Sequence, residues 1–295
     1  MGAELENPYR NLNGTWIRGS FHGHCSEHSA CASVPLVDSV RKYNELDVGV
    51  ITLTDHDTVT DLTAMQAAYP DMAFLEGFEY SSRENVVFVG PKVEPLYQFS
   101  LEDALKLAGD LLTIVCHPRP HASGRDYWTR TMLEALGTWP DGIEVYNGHY
   151  GTGTALRGGR WPLYSDFWDE LLTAGHRVWG FANDDFHDPM DFDNAFNMLL
   201  VEDDTPEAVV RAAKAGRCYA STGLLLKTIT EQDGHITVEV DAPCAGLFVG
   251  AGGQELAKDQ GVRFEHTAGD EAYVRFEAEG DTGRIFLQPM WARSS

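Results

Sequence analysis

The stretch Trp16-Ile17-Arg18-Gly19-Ser20-Phe21-His22-Gly23-His24 decides how this chain is read. Its first six residues predict a strand over 16–21. Side chains alternate faces along a strand, so His22 and His24 emerge on one side as a two-imidazole clamp. A lone His-x-His pair is common on surfaces and in cores, and what sets this one apart is recurrence. Thr54-Asp55-His56, Gly77-Phe78-Glu79, Cys116-His117-Pro118 and Asp184-Asp185-Phe186-His187 each close another apolar run. Strand ends bearing His, Asp or Glu converge when the strands are parallel neighbours.

Working outward, helical spacing at Leu36, Val37, Val40, Tyr43 and Leu46, followed by a β-branched run over 48–54, makes a βαβ unit. The alternation continues with helix 62–69, strand 72–80, an extra strand 86–89, helix 101–108, strand 111–117, helix 127–136, strand 142–146, helix 163–174, strands 177–182 and 196–201, and helix 206–215. This pattern predicts an α/β protein with a parallel sheet, and the number of units favours closure into a barrel. Beyond Gly216 helical periodicity stops. Short alternating strands over 236–240, 246–249, 273–278 and 284–288 predict a small all-β, sandwich-like domain, so the expected division is 1–223 and 224–295.

Composition narrows the function classes. Of 295 residues, 43% are hydrophobic, ample for a core. Lys plus Arg number 22 against 45 Asp plus Glu, a net charge of -23, which leaves no basic stripe for long nucleic acid. Five cysteines without a C-x-x-C pair point to a reducing compartment. A polar N-terminus and the lack of any apolar run of about eighteen residues predict a soluble, cytoplasmic protein with no membrane partner. Cys25 and Cys31 read as buried, inert thiols, and Trp128, Trp139, Trp161 and Trp168 as packing residues.

In order, the motifs H-x-H, T-D-H-D, G-x-E, H-P, E-x-x-N and D-x-H resemble the PHP (polymerase and histidinol phosphatase) superfamily over about residues 16–215. The Trp16–Gly19 run, the segment 215–223 and the β-rich tail are similar to its CehA/McbA-type metallohydrolases. The resemblance implies a distorted, TIM-like (β/α)7 barrel holding two or three divalent ions, zinc, manganese or iron. It implies that His22, His24 and Asp185 bind one ion, that Glu79 bridges it to a second held by His117, and that His56 and His187 hold a third. Imidazole and carboxylate sets suit such metals, and a water between them would lose a proton near neutral pH. Asp55 is expected in a catalytic role or as a carboxylate orienting its neighbour.

Two family ligands have no counterpart. Ser29 stands where an acidic or His ligand commonly follows H-x-H, and Val87 where a second histidine follows the Glu motif.

The implied activity is a metal-dependent phosphoesterase acting on a small, anionic substrate such as a phosphorylated metabolite or short nucleotide. A carbamate, ester or amide hydrolase using the same metals is the alternative, and a degenerate binding module the third reading. Arg119 and His121 are expected to grip the phosphate, Asn147 and Arg157 to line the substrate side, and Arg119 and His149 to serve catalysis, with His149 or His121 as general acid. Glu144 reads as a brace beside them. Nothing in the sequence sets the oligomeric state.

Overall fold

The computed structural model describes residues 4–11, 13–119 and 127–293. The chain runs β1 (Leu5–Glu6), β2 (Thr15–Ser20), α1 (Leu36–Glu45), β3 (Val50–Thr52), α2 (Thr63–Ala68), β4 (Ala73–Tyr80), β5 (Val86–Gly90), α3 (Leu101–Leu107) and β6 (Leu112–Val115). It continues through α4 (Arg130–Ala135), β7 (Gly142–Asn147), α5 (Gly148–Gly151), α6 (Gly153–Arg157), α7 (Ser165–Thr173), β8 (Trp179–Asn183), β9 (Phe196–Val201), α8 (Pro206–Lys214) and β10 (Cys218–Ser221). The rest is all β: β11 (Leu226–Gln232), β12 (His235–Gly250), β13 (Gln254–Thr267), β14 (Tyr273–Gly280), β15 (Gly283–Leu287) and β16 (Met290–Ala292).

Local chemistry explains several boundaries. The Ser100 side chain accepts from the Asp103 amide to open α3, and Thr205 accepts from Ala208 ahead of Pro206 to open α8. Asn147 and Thr152 cap the two one-turn helices α5 and α6, which hydrophobic spacing does not reveal.

Strands β9-β2-β3-β4-β5-β6-β7-β8 lie side by side in that order. Parallel pairing holds for β2–β3, β3–β4, β6–β7 and β7–β8. The expected parallel sheet is interrupted by antiparallel pairing at two places. β5 runs antiparallel to both β4 and β6, and β9 antiparallel to β2. The β4–β5 reversal follows from length, since residues 81–85 can make a hairpin but not a crossover.

The outer edge of β8 is closed by side chains rather than by a ladder. The Gln288 carboxamide takes both backbone groups of Gly180 (2.8 and 2.7 Å), and Asn197 does the same for Ala182 (3.0 and 2.7 Å). One carboxamide offers an acceptor and a donor, so each stands in for one residue of a neighbouring strand.

In the C-terminal part, β12 and β13 form one long hairpin, with the expected strands 236–240 and 246–249 joined across an irregularity between Glu239 and Cys244. Largely exposed β13 lacks the half-buried alternation that identifies strands. A separate apolar cluster around Val238, Phe248, Phe276 and Leu287 fills this part, and it also takes in Leu5 and Tyr9. β10 pairs with β15 and β1 with β16, so the two parts share one continuous sheet. No helix among the described residues is long and apolar enough to cross a membrane.

Candidate metal centre

The strand ends of the first part deliver their histidines and carboxylates to one buried cluster. His22 and His24 follow β2, and their Nε2 atoms stand 3.3 Å apart. Gly23 between them permits the approach of the segment bearing Asp185, for a Cβ there would lie 2.0 Å from the Phe186 ring. The two segments are tied by the His24 amide donating to Phe186 O (3.0 Å) and the Asp185 amide to His22 O (3.1 Å). Asp185 Oδ1 then lies 3.1 Å from Nε2 of both His22 and His24.

The outer nitrogen of each imidazole is fixed. His22 Nδ1 lies 2.8 Å from Glu144 Oε1, and because a carboxylate only accepts, Nδ1 carries the proton. Ser29 Oγ gives its own proton to Asp55 Oδ1 (2.6 Å) and can only accept from His24 Nδ1 (3.3 Å). With both imidazoles neutral, their Nε2 lone pairs face inward, toward Asp185. Three acceptors without a donor between them make a place for a cation, with partners behind the ligands fixing tautomer and ring orientation.

Glu79, near the end of β4, sits beside this triad. Its Oε1 is 3.4 Å from His22 Nε2 and 3.3 Å from His117 Nε2, and its Oε2 is 3.5 Å from His24 Nε2 and 2.8 Å from His56 Nδ1. Neither oxygen has an aligned hydrogen-bond donor, although Glu79 is 1% exposed. A buried carboxylate left this way is costly unless a cation balances it. The residues present thus fit a set of divalent ions.

Electrostatics agree. Burial opposes charge on His22, yet Asp185, Glu79 and Glu144 raise it well above the ordinary histidine value. Burial lowers His24. Burial would raise Glu79 and Asp185, but the imidazoles hold both carboxyls well below their usual range. Despite burial, Cys31 and Glu79 push His56 up to about 10, and Asp185 and Cys31 push His187 up to about 9. The cluster draws in positive charge. Cys116 packs among His22 and Glu79 but is pushed well up by burial, which keeps it a thiol.

Backbone strain marks the same place. His117 (φ 26°) and Asp185 (φ 50°) adopt left-handed conformations that cost residues with a Cβ on the order of 1–3 kcal/mol each. The His117 amide donates to Glu144 Oε2 at 2.7 Å, so one carboxylate holds His22 and this turn together.

The remaining expected residues divide. Asp55 is fully buried and accepts from the Cys25 amide, Ser29 and Thr60, so it faces away from the cleft and reaches His24 through Ser29. Asn147 donates to Glu144 Oε2 and Asp185 Oδ2, both at 3.0 Å, and braces a ligand rather than lining the substrate side. Arg119 turns to Asp166, Glu170 and the Phe167 ring on α7, away from the cleft. Arg157 is exposed and donates to Thr154. His121 lies outside the described residues. Val87 stands opposite Glu79 in register, buried among apolar side chains.

A cavity of about 310 Å³ opens on the cluster and is lined by His149, Tyr150, Arg160 and Cys31 among others. His149 Nδ1 is held by Asp191 Oδ2 at 2.9 Å. Arg160 stacks over Tyr150, and its Nη1 is buried without a partner. Cys31, read as a buried thiol, is instead exposed on this cavity. Trp161, read as packing, is 58% exposed. Asp191 and the pairing of Ser29 with Asp55 had no sequence signal, since each depends on segments distant in the chain.

No family model and no curated protein matches the chain. Among solved structures it is similar to a two-domain protein from Bacteroides vulgatus containing a predicted PHP-like metal-dependent phosphoesterase. That match has TM-score 0.57 at 17% identity and covers 98% of this chain and 99% of the other. It is also similar to PfuEndoQ, a lesion-specific endonuclease from Pyrococcus furiosus, with TM-score 0.50, 16% identity, and coverage of 68% of this chain and 56% of that one. Along nearly its whole length, this chain has the fold of the PHP-like two-domain protein.

Proposed function

We propose that the chain is a metal-dependent phosphoesterase acting on a small, anionic phosphorylated metabolite or short nucleotide. The observation that carries this reading is Glu79: two buried oxygens, each faced by two imidazole nitrogens and neither hydrogen-bonded. His22, His24 and Asp185 would hold one ion, Glu79 and His117 a second, and His56 and His187 a third. Zinc, manganese or iron suits this donor set. Such ions supply Lewis acidity toward phosphoryl oxygens and lower the pKa of water.

The chain's own residues do the rest. Glu144, and Ser29 backed by Asp55, hold the His22 and His24 lone pairs inward. The buried Nη1 of Arg160 offers a donor to a phosphoryl oxygen. His149, its Nδ1 held by Asp191, presents Nε2 to a leaving group and can pass it a proton.

We read the mixed sheet as a distorted (β/α)7-like barrel, its strands closed at β8 by the two carboxamides, and place the division between the parts at Gly223 and Leu224. The Trp16–Gly19 run and segment 215–223 support the CehA/McbA-type subgroup, and the five free cysteines support a cytoplasmic location.

The test pairs elemental analysis with hydrolysis of p-nitrophenyl phosphate, bis-p-nitrophenyl phosphate and a naphthyl carbamate. Bound metal and phosphoester turnover, both lost in His24→Ala, are expected. Near-zero metal, or carbamate turnover without phosphoester turnover, overturns the reading.

A further inference from the structure

Resting on that metal centre, the ion position framed by His56 and His187 is short of ligands from the residues the family pattern supplies. Donor atoms of His24, His56 and His187 lie within 4.8 Å of one another, yet no carboxylate belongs to that group. The Cys31 thiol lines the same cavity as His56 and His187.

Its loop is held in place rather than hanging at the rim. The Ser26 amide donates to Val34 O (2.9 Å), the Ala32 amide to Ser29 O (3.0 Å), and the Ser33 amide to His187 O (2.8 Å). Ser33 also donates through its hydroxyl to Asp188. The backbone that carries Cys31 is thus bonded directly to the residue that carries an imidazole ligand. An independent sign of a cation here is Glu79 Oε2, buried, unpartnered and 2.8 Å from His56 Nδ1.

We propose that Cys31 supplies a thiolate ligand to the ion held by His56 and His187, so that this position takes a thiophilic divalent ion such as zinc, cobalt or iron in preference to magnesium. Thiolate is a soft ligand that selects such metals, whereas magnesium requires oxygen donors. On binding, sulfur gives up its proton to solvent and donates a lone pair to the ion, with no change in oxidation state.

Cobalt(II) added to the metal-free, full-length protein under anaerobic conditions reads the sulfur directly. A near-ultraviolet sulfur-to-cobalt charge-transfer band is expected in the parent protein and in Cys116→Ser. In Cys31→Ser the band should vanish while the visible ligand-field bands of the other bound cobalt remain. Cys31 is exposed, so the serine variant should keep its fold, as circular dichroism would check. Bound cobalt without a charge-transfer band, or a band that survives Cys31→Ser, overturns the thiolate and leaves the metal centre standing. No ligand-field bands at all overturns both.

Discussion

Two clusters of buried charge face different fates in this molecule. On β14, Arg275 is 2% exposed, and its Nε and Nη2 grip both oxygens of Asp169 on α7 at 2.7 and 2.6 Å, while Nη1 reaches Glu277 at 2.6 Å. Tyr273 OH adds a bond to Asp169 at 3.3 Å, and the guanidinium lies over the Trp168 ring. Every charged atom there is matched by one of opposite sign. At the end of β4, Glu79 is as deeply buried, but its oxygens face only imidazole nitrogens at 2.8–3.5 Å with no aligned hydrogen bond. A completed pair joins α7 to the C-terminal sheet, whereas an incomplete one waits for a cation. Cavity size does not separate them, because the space beside Arg275 is the larger, about 580 Å³ against about 310 Å³. The unsatisfied atoms do.

The comparison can be broken first at its structural end. Arg275→Met leaves Asp169 buried and unpaired, and urea denaturation should show a loss of about 3–5 kcal/mol. The hydrolysis rate per folded molecule should stay unchanged. Asp169→Leu combined with Arg275→Met should recover most of that stability, and a double variant as weak as the single one would mean the pair does more than balance charge.

At the metal end, Glu144→Gln keeps the shape but weakens the acceptor that fixes His22. Calorimetry should find metal affinity lower by roughly 10–100-fold. Unaltered affinity would reduce Glu144 to a brace of the β7 end.

A further test sharpens the contrast through pH. In the metal-free protein His187 and His56 are raised to about 9 and about 10, against about 6.5 for an unfolded histidine. A raised folded value stabilises fully below about pH 6.5, and that contribution is lost as pH rises through about 9–10. Metal affinity should move the opposite way, rising with pH as protons leave the same nitrogens. Arg275, which Asp169 and Glu277 raise despite its burial, stays charged across this window. Metal-free protein of equal stability at pH 6.5 and 10 would remove the account.

Much of the site was legible because metal ligands leave short, typed signatures. His22, His24, Glu79 and Asp185 were named from strand-end position, and they meet within 3.5 Å. The anion-side residues were read less well. Arg119 stands two residues after His117 in sequence, but it follows that turn outward to α7, and Arg157, expected on the rim, is exposed and bonds Thr154. Arg160, three residues beyond Arg157, lines the cavity. In the sheet, the length of the 81–85 connection already implied a hairpin, whereas β13 carried too little apolar alternation to be found.

The sequence by itself determined which residue types recur at strand ends, the α/β alternation up to about residue 215 and the β-rich remainder, because periodicity and motif spacing are local properties of the chain. Only the tertiary structure decided that Ser29 and Asp55 stand behind His24, that Glu144 holds both His22 and the His117 turn, that Gln288 and Asn197 close β8, and that Cys31 opens on the cavity. These are contacts between segments far apart in sequence, and which of two polar groups meets which is set by packing and by the demand that every buried donor and acceptor find a partner.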